Sequence, residues 1–258
     1  MDARTHVSGV LITHGPDPDL ERSLAALAAQ VREVVVVQNL RGHDVPLPNG
    51  ARLIVNDRPA GFSTNANRGI RATSTPFVAI VNPDAVATTD TIQRLLDHME
   101  AHPRCGVAGP QLSYPDGSWQ ASRRRFPTVM GTLVRRTPLR LILKPERFSR
   151  SHYLLDEERP TEPVRADWML GAFLLLRREM LDELRGFDEG YRLYGEDIDL
   201  GYRAMKAGWE RWYVPGARAI HRHEDVTTRR FFTRRTIWHL RGVARFVRKH
   251  PERLRALR

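Results

Sequence analysis

The sequence predicts an α/β fold with a mainly parallel central sheet and helices on both faces. Three observations carry this. Strand-like apolar runs recur at Val7–Thr13, Glu33–Gln38 and Phe77–Val81. Segments with helical apolar spacing lie between them, and strands alternating with helices build parallel sheets. The chain has 258 residues and 41% hydrophobic content, enough to bury a core.

Val7–Thr13 (VSGVLIT) reads as a buried strand, followed by a His14-Gly15-Pro16-Asp17-Pro18 turn. Leu20, Leu24 and Leu27 give Asp19–Ala29 helical spacing. Glu33–Gln38 and Ala51–Asn56 follow as strands, and Ser63 can cap a helix running through Ser74. Phe77–Val81 is a fourth strand, and a helix starts at Thr89 or Asp90 and ends near Ala101. The alternation breaks after Gln111. Tyr114-Pro115-Asp116-Gly117 is a turn, and residues 121–163 show no clear period. Asp167–Arg177 resumes as strand, Glu196–Ala207 as helix and Arg211–His223 as one or two strands. Without repeat or linker, residues 1–228 read as one domain with an embedded basic loop (121–163), and residues 229–258 as a basic amphipathic helical tail.

The formal charge of +11 is unevenly placed. Residues 229–258 carry 11 basic side chains and one acidic, and residues 121–150 carry nine and one. The other 198 residues hold 21 basic and 28 acidic side chains, a balance of −7. A mildly acidic body with two basic attachments is not the footprint of a nucleic-acid binder, although the pI of about 10.7 raises that alternative. On a helical projection that starts at Phe231, the residues Phe232, Ile237, Leu240, Val243, Ala244, Phe246 and Val247 fill one side, and Arg230, Arg234, Arg241, Arg245 and Arg248 the other. Such a helix can lie on an anionic membrane or dock its apolar face on the body. The longest apolar stretch, Trp168–Leu176, has nine residues, against about 20 needed to span a bilayer. The N-terminus runs into a strand without a signal-peptide core, so a cytoplasmic location is expected. Cys105 alone cannot form an intramolecular disulfide or a cysteine metal cluster.

Three constellations can carry chemistry. Asn82-Pro83-Asp84 follows the fourth strand, so Asp84 emerges where such sheets bind ligands and can hold Mg²⁺ or Mn²⁺. An Asn-Pro-Asp turn with self-capping side chains explains the same residues. Gly195-Glu196-Asp197-Ile198-Asp199-Leu200 places three carboxylates at a helix start. They either complement the dipole or, by mutual repulsion, raise the pKa of a general base. His221 and His223 fall on one side of a strand, as a structural pair or as metal ligands. No HExxH, P-loop, GxGxxG or GxSxG pattern is present.

In order along the chain, the Val10-Leu11-Ile12-Thr13 strand end, Gly61-Phe62-Ser63-Thr64-Asn65-Ala66-Asn67-Arg68-Gly69, Asn82-Pro83-Asp84, the Gly109-Pro110 to Asp116-Gly117 stretch, Trp168-Met169-Leu170-Gly171-Ala172, Gly186-Phe187-Asp188-Glu189, GEDIDL with Arg203, Ala207-Gly208-Trp209 and His221 resemble glycosyltransferase family 2, in its rhamnosyltransferase-like branch. The likeness runs from about Val7 to about His223. It implies a GT-A (Rossmann-like) fold and an inverting, metal-dependent sugar transfer from a nucleotide-sugar donor. By position, Asp84 matches the metal-binding aspartate of a DxD-type motif, with Asn82 where many members have the first Asp. Asp197 matches the catalytic base, flanked by Glu196, and His221 a metal ligand beside the donor diphosphate; Mg²⁺ or Mn²⁺ is implied. Thr13, Gln38, Asn39, Gly61, Asn67, Arg68, Asn82 and Asp84 fall on the donor side, and Trp168, Gly171, Ala172 and Asp199 on the acceptor side. Where the family usually has Asp-Asn after the second strand, this chain has Gln38-Asn39.

The resulting expectation is a cytoplasmic enzyme, peripheral at the inner face of the cell membrane. It would move rhamnose from deoxythymidine diphosphate to a lipid-linked or cell-envelope glycan, with 229–258 and 121–150 on the anionic surface and no nucleic-acid partner. A sugar nucleotidyltransferase is the alternative enzyme class, but His14-Gly15-Pro16 does not supply the Gly- and Arg-rich loop it needs.

Overall fold

The computed structural model describes residues 1–127, 150, 153–154, 157–222 and 234–252. Most of the basic segment 121–150, together with His223, Arg230, Phe231 and Phe232, lies outside the described residues. The first half contains α1 (Ala3–His6), β1 (Val7–Thr13), α2 (Leu20–Ala28), β2 (Glu33–Gln38), β3 (Arg52–Val55), α3 (Phe62–Arg71), β4 (Phe77–Val81), β5 (Ala85–Ala87), α4 (Thr91–Ala101) and β6 (Cys105–Ser113). Then come β7 (Trp119–Gln120), β8 (Arg123–Arg124), β9 (Val164–Arg165), β10 (Trp168–Met169), β11 (Phe173–Arg177), α5 (Arg178–Leu184), α6 (Glu196–Lys206), β12 (Glu210–His221) and α7 (Arg234–Lys249). Among the described residues no helix is long and apolar enough to cross a membrane.

The main sheet runs β3-β2-β1-β4-β11-β6-β12-β5. Its first four strands are parallel, as the alternating pattern predicts. The other half is mixed: β11 lies antiparallel between β4 and β6, β12 runs parallel to β6, and β5 closes the edge antiparallel. The expectation of a mainly parallel sheet holds throughout the first half, and the second half keeps one parallel pair, β6–β12, among antiparallel ones. Leu20, Leu24, Ile92 and Leu95 cover one face from α2 and α4, and Phe62, Ile70, Met180 and Leu200 cover the other from α3, α5 and α6.

Strand β6 has no apolar run in the sequence because Gly106, Gly109 and Pro110 interrupt it. Two of these are close-packing positions: a Cβ on Gly106 would meet Met180 Sδ at 2.5 Å, and one on Gly109 would meet Met169 Sδ at 2.7 Å. Pro110 lies next to the register shift between Val214 and Arg218 of β12, where a missing N–H is tolerated. The helix expected from Ser63 starts one residue earlier, after Gly61, and Ser63 is buried rather than capping.

Helix α7 docks on the body by one edge of the apolar face the projection marked out, together with its polar neighbours. Phe246 is buried against Tyr202 of α6, while Arg245 and Lys249 turn inward to Asp188. Ile237 and Leu240 stay 50% and 40% exposed. Docking follows the buried carboxylates of the body more than the helix's own hydrophobic stripe.

The strand order places the topological switch between β1 and β4, so the crevice beyond their carboxyl ends is the ligand position of this layout. Helix α3, which flanks it, sits close on β1 because Gly69 faces Val10; a Cβ there would overlap Val10 Cγ1. Gly69→Ala is expected to lower stability in urea unfolding by about 1–3 kcal/mol, despite the roughly 1 kcal/mol helix-propensity advantage of alanine.

Candidate active site

Asp84 stands in the turn after β4, held from two sides. Asn82 N–H donates to Ala172 O at 2.9 Å, and Arg222 N–H donates to Asp84 O at 3.1 Å. The second contact sets the end of β12 beside the turn, with His221 Nε2 3.4 Å from Asp84 Oδ2. The buried imidazole is oriented by Gln120, whose Oε1 accepts from Nδ1 at 2.8 Å. With Nδ1 protonated, the Nε2 lone pair faces the carboxylate, an arrangement suited to sharing a divalent cation. Gln120 Nε2 is buried without a hydrogen-bond partner among the described residues, so the glutamine serves the imidazole alone. Among the described residues no three His, Cys, Asp or Glu side chains gather as a metal site. Among the described residues Asp84 and His221 are placed as two such ligands, and a six-coordinate ion held there would complete its shell with further oxygen ligands such as water and phosphate.

The segment that holds the Asp84 turn also holds Asp197. Ala172 accepts from Asn82, and its neighbour Gly171 donates to Asp197 Oδ2 at 3.2 Å. A Cβ on Gly171 would lie in van der Waals contact with Asp197, 3.4 Å from its Cβ. Asp197 Oδ1 accepts from Ile198 N–H at 2.8 Å. Burial pushes the Asp197 carboxyl up, opposed by the Arg124 guanidinium and these backbone donors. Burial, reinforced by the charge of Asp197, pushes Glu196 up to about 8, and Glu196 Oε2 is buried without a hydrogen-bond partner among the described residues. Asp197, with two backbone N–H donors on its carboxylate, is the better held of the two as an anion, and Glu196, one of whose oxygens is buried without a partner among the described residues, is the one that keeps a proton more readily. A desolvated, backbone-oriented carboxylate beside a candidate metal pair is equipped to accept a proton.

The remaining sequence-selected residues divide. Thr13 is buried and donates to Gly15 O at 2.9 Å, fixing the turn after β1. Gln38 Nε2 donates to His43 O at 2.7 Å. Asn39 Oδ1 accepts from Asn56 Nδ2 and Ala60 N–H, each at 2.8 Å, and Asn56 also binds Asn65 and Arg68. This ladder of amides joins the end of β2 to α3 and shapes the crevice wall. Gly61 lets α3 begin against the backbone of Arg192, where a Cβ would come within 2.8 Å.

Three assignments change. The structure does not bring Asn67 to the donor side: its amide brackets the Phe187 backbone, accepting from N–H at 2.9 Å and donating to O at 2.8 Å, because the turn at Gly186 needs an anchor. Nor does it bring Asp199 to the acceptor side. Asp199 is 0% exposed and paired with Arg203, Lys249 and His250, since a helix face opposite Asp197 points into the core. Trp168 is buried, its indole N–H donating to Arg125 O at 2.9 Å, so it supports the site through Arg124, whose guanidinium lies over its ring. Gln120 and Arg124 carry no motif signal in the sequence; for Arg124 the charge of the 121–150 segment is the one hint.

A model of the family described as "Glycosyltransferase like family 2" matches residues 21–245. The chain belongs to glycosyltransferase family 2. It is 34% identical over 247 residues to N-acetylglucosaminyl-diphospho-decaprenol L-rhamnosyltransferase of Mycobacterium tuberculosis, covering 85% of this chain and 77% of that protein. It is 43% identical over 82 residues to rhamnosyltransferase WbbL of Escherichia coli, about 31% of this chain and 30% of that one. The solved GalNAc-T7 with UDP, GalNAc and Mn²⁺ superposes with a TM-score of 0.68 at 17% identity, over 94% of this chain and 47% of that chain. The mannosyltransferase PcManGT of Pyrobaculum calidifontis, with GDP-Man and Mn²⁺, gives 0.60 at 18%, over 94% and 64%. This chain thus spans about half to two thirds of those solved chains. The family 2 member described here is a rhamnosyltransferase-like glycosyltransferase with the GT-A fold, which sets aside the nucleotidyltransferase and nucleic-acid-binding alternatives.

Because Glu196 has a raised folded-state pKa, its contribution to stability is full below the unfolded value of about 4.3 and is lost as pH rises toward about 8. Glu196→Gln removes this loss. The melting temperature of the variant relative to the native protein is expected to rise steadily from pH 5 to pH 8, whatever its constant offset, as measured by thermal denaturation.

Proposed function

We propose that this chain is an inverting, metal-dependent transferase that moves rhamnose from deoxythymidine diphosphate rhamnose to an N-acetylglucosaminyl diphosphate carried on a polyprenyl lipid. The observation that carries this reading is the linkage of Asp84 and His221 to half-buried Asp197 through Gly171-Ala172, at the carboxyl edge of the sheet. The 34% identity to a mycobacterial rhamnosyltransferase named for that acceptor supports the substrate choice. Asp197 takes the proton of the acceptor hydroxyl as its oxygen attacks the anomeric carbon. The bond from that carbon to the diphosphate oxygen breaks on the opposite face, inverting the configuration. A Mn²⁺ or Mg²⁺ ion held by Asp84 and His221 would neutralise the departing diphosphate, with Mn²⁺ favoured because one ligand is imidazole. Gly171 and Gln120 keep the base and the imidazole in register, and Gln38 can accept from a pyrimidine N–H in place of the usual aspartate.

Asp197→Asn is expected to lower kcat by about 10²- to 10⁴-fold while donor binding persists, and Asp84→Ala to weaken Mn²⁺-dependent donor binding. A thermal-shift panel of nucleoside diphosphates and nucleotide sugars, with and without Mn²⁺, reads the donor directly, since ligands of the native state raise its apparent stability. Stabilisation by uridine or guanosine compounds alone would overturn the donor assignment.

The same proposal places the enzyme peripherally on the inner face of the cell membrane, through 229–258 and 121–150. The outward face of α7 carries Ile237, Leu240, Arg241, Ala244 and Arg248, apolar and cationic side chains together. Each cation near anionic headgroups is worth about 1 kcal/mol, so the double variant Arg241→Gln/Arg248→Gln is expected to bind phosphatidylglycerol vesicles about 30-fold more weakly. Its turnover on a lipid-linked acceptor should fall far more than on a soluble analogue.

A further inference from the structure

Asp199 belongs to the same first helical turn as Glu196 and Asp197, yet its partners come largely from elsewhere. Arg203 Nε donates to it at 2.6 Å from within α6. Lys249 Nζ lies 2.9 Å from Oδ1, and His250 Nε2 3.0 Å from the same oxygen, both from the far end of α7. A fully buried carboxylate must be compensated where it sits, so the position of α6's first turn is tied to the seating of α7.

A second contact acts on the backbone just before that turn. Tyr194 (φ 70°) and Gly195 (φ 97°) are both left-handed, a strained state for tyrosine that its surroundings must maintain. Gly242 of α7 packs directly on this link: a Cβ there would lie 2.5 Å from Tyr194 O. The rings of Tyr194 and His239 meet at 5.4 Å. A third contact fixes the start of the same loop, where Asp188 receives Arg245 and Lys249 at 2.7 Å each. Burial pushes the Asp188 carboxyl up, but these cations and the Gly190 N–H outweigh it and hold it well below the usual range. Helix α7 therefore grips the 188–195 loop at both ends and the helix turn that follows it.

We propose that α7 is a positioning element of the catalytic centre, with Lys249 and His250 acting through Asp199, and Gly242 through Tyr194, to set the place of Asp197. This rests on the reading of Asp197 as the base. His250 donates Nε2–H to the Asp199 carboxylate, a role that the side-chain amide of glutamine can reproduce and alanine cannot. None of these contacts of α7 involves Asp84 or His221.

The test uses the full chain, deoxythymidine diphosphate rhamnose and a soluble short-chain N-acetylglucosaminyl diphosphate acceptor, so membrane attachment does not enter. His250→Ala, Lys249→Met and Gly242→Ala are each expected to lower kcat at least tenfold with donor KM within twofold, and His250→Gln to recover most of the loss. Amide hydrogen exchange in His250→Ala should accelerate across Tyr191–Ile198 while β1 and β4 stay protected; this readout needs no substrate. Unchanged kcat, or equal losses in kcat and donor affinity, or unchanged exchange in that loop would overturn the positioning role. Asp197→Asn run in parallel separates the two ideas: full turnover there removes the base assignment, whereas its loss alongside fully active α7 variants removes only the present inference.

Discussion

Helix α6 opens with three carboxyl groups in four residues, all at least half-buried, and the enzyme is organised around making that arrangement tolerable. The positive end of the helix dipole helps all three equally and so cannot distinguish them. Their separate fates are set by what the rest of the fold delivers. Asp197 receives two backbone N–H groups and the field of Arg124, Asp199 receives three cationic or imidazole side chains, and Glu196, with Oε2 buried and unpartnered among the described residues, is pushed toward its protonated form. A base, a structural anchor and a neutral neighbour thus arise from chemically similar side chains, because burial makes each one answerable to its nearest partners.

The delivery of those partners depends on the mixed half of the sheet. Antiparallel β11 begins immediately after Gly171-Ala172, and that dipeptide reaches the β4 turn with one peptide group and α6 with the other. Strand β12 runs the length of β6 and ends at His221, so the imidazole arrives beside Asp84 from the opposite side of the crevice. Parallel strands alone would bring loops to this edge but would not place a strand start and a strand end against the same turn. The departure from a uniformly parallel sheet is what joins the candidate metal pair to the candidate base.

Much of the first half of the chain was legible because hydrophobic periodicity there is dictated by burial on both faces. Glu33–Gln38 and Phe77–Val81 appear with the bounds read from the sequence, His221 lies 3.4 Å from Asp84, and the Gly171-Ala172 segment connects the Asp84 turn to Asp197. Strand β6 was hidden because its glycines serve close packing against Met180 and Met169, which has no local signature. Asn67 and Asp199 were assigned to ligands because a polar side chain in a functional motif looks the same whether it faces a substrate or a turn. What decides between these is the partner, and for Asp199 two of the partners lie about 50 residues further along the chain.

Helix α7 shows how a helical projection can mark the right residues and only the edge of the docked face. Its apolar stripe is real, but of that stripe Phe246 alone is buried among the described residues, against the Phe126, Trp168, Tyr191 and Tyr202 cluster; beside it the body offers Asp188 and Asp199, whose charges would be costly to leave bare. An unpaired buried carboxylate outweighs the gain from covering two or three aliphatic side chains, so Arg245, Lys249 and His250 turn inward with Phe246, and Ile237 and Leu240 turn out. The electrostatic demand of the interior chooses the docked face. The apolar and cationic side chains left outside then give one helix two surfaces: an inner one matched to the acidic end of α6, and an outer one with the composition of an interfacial helix.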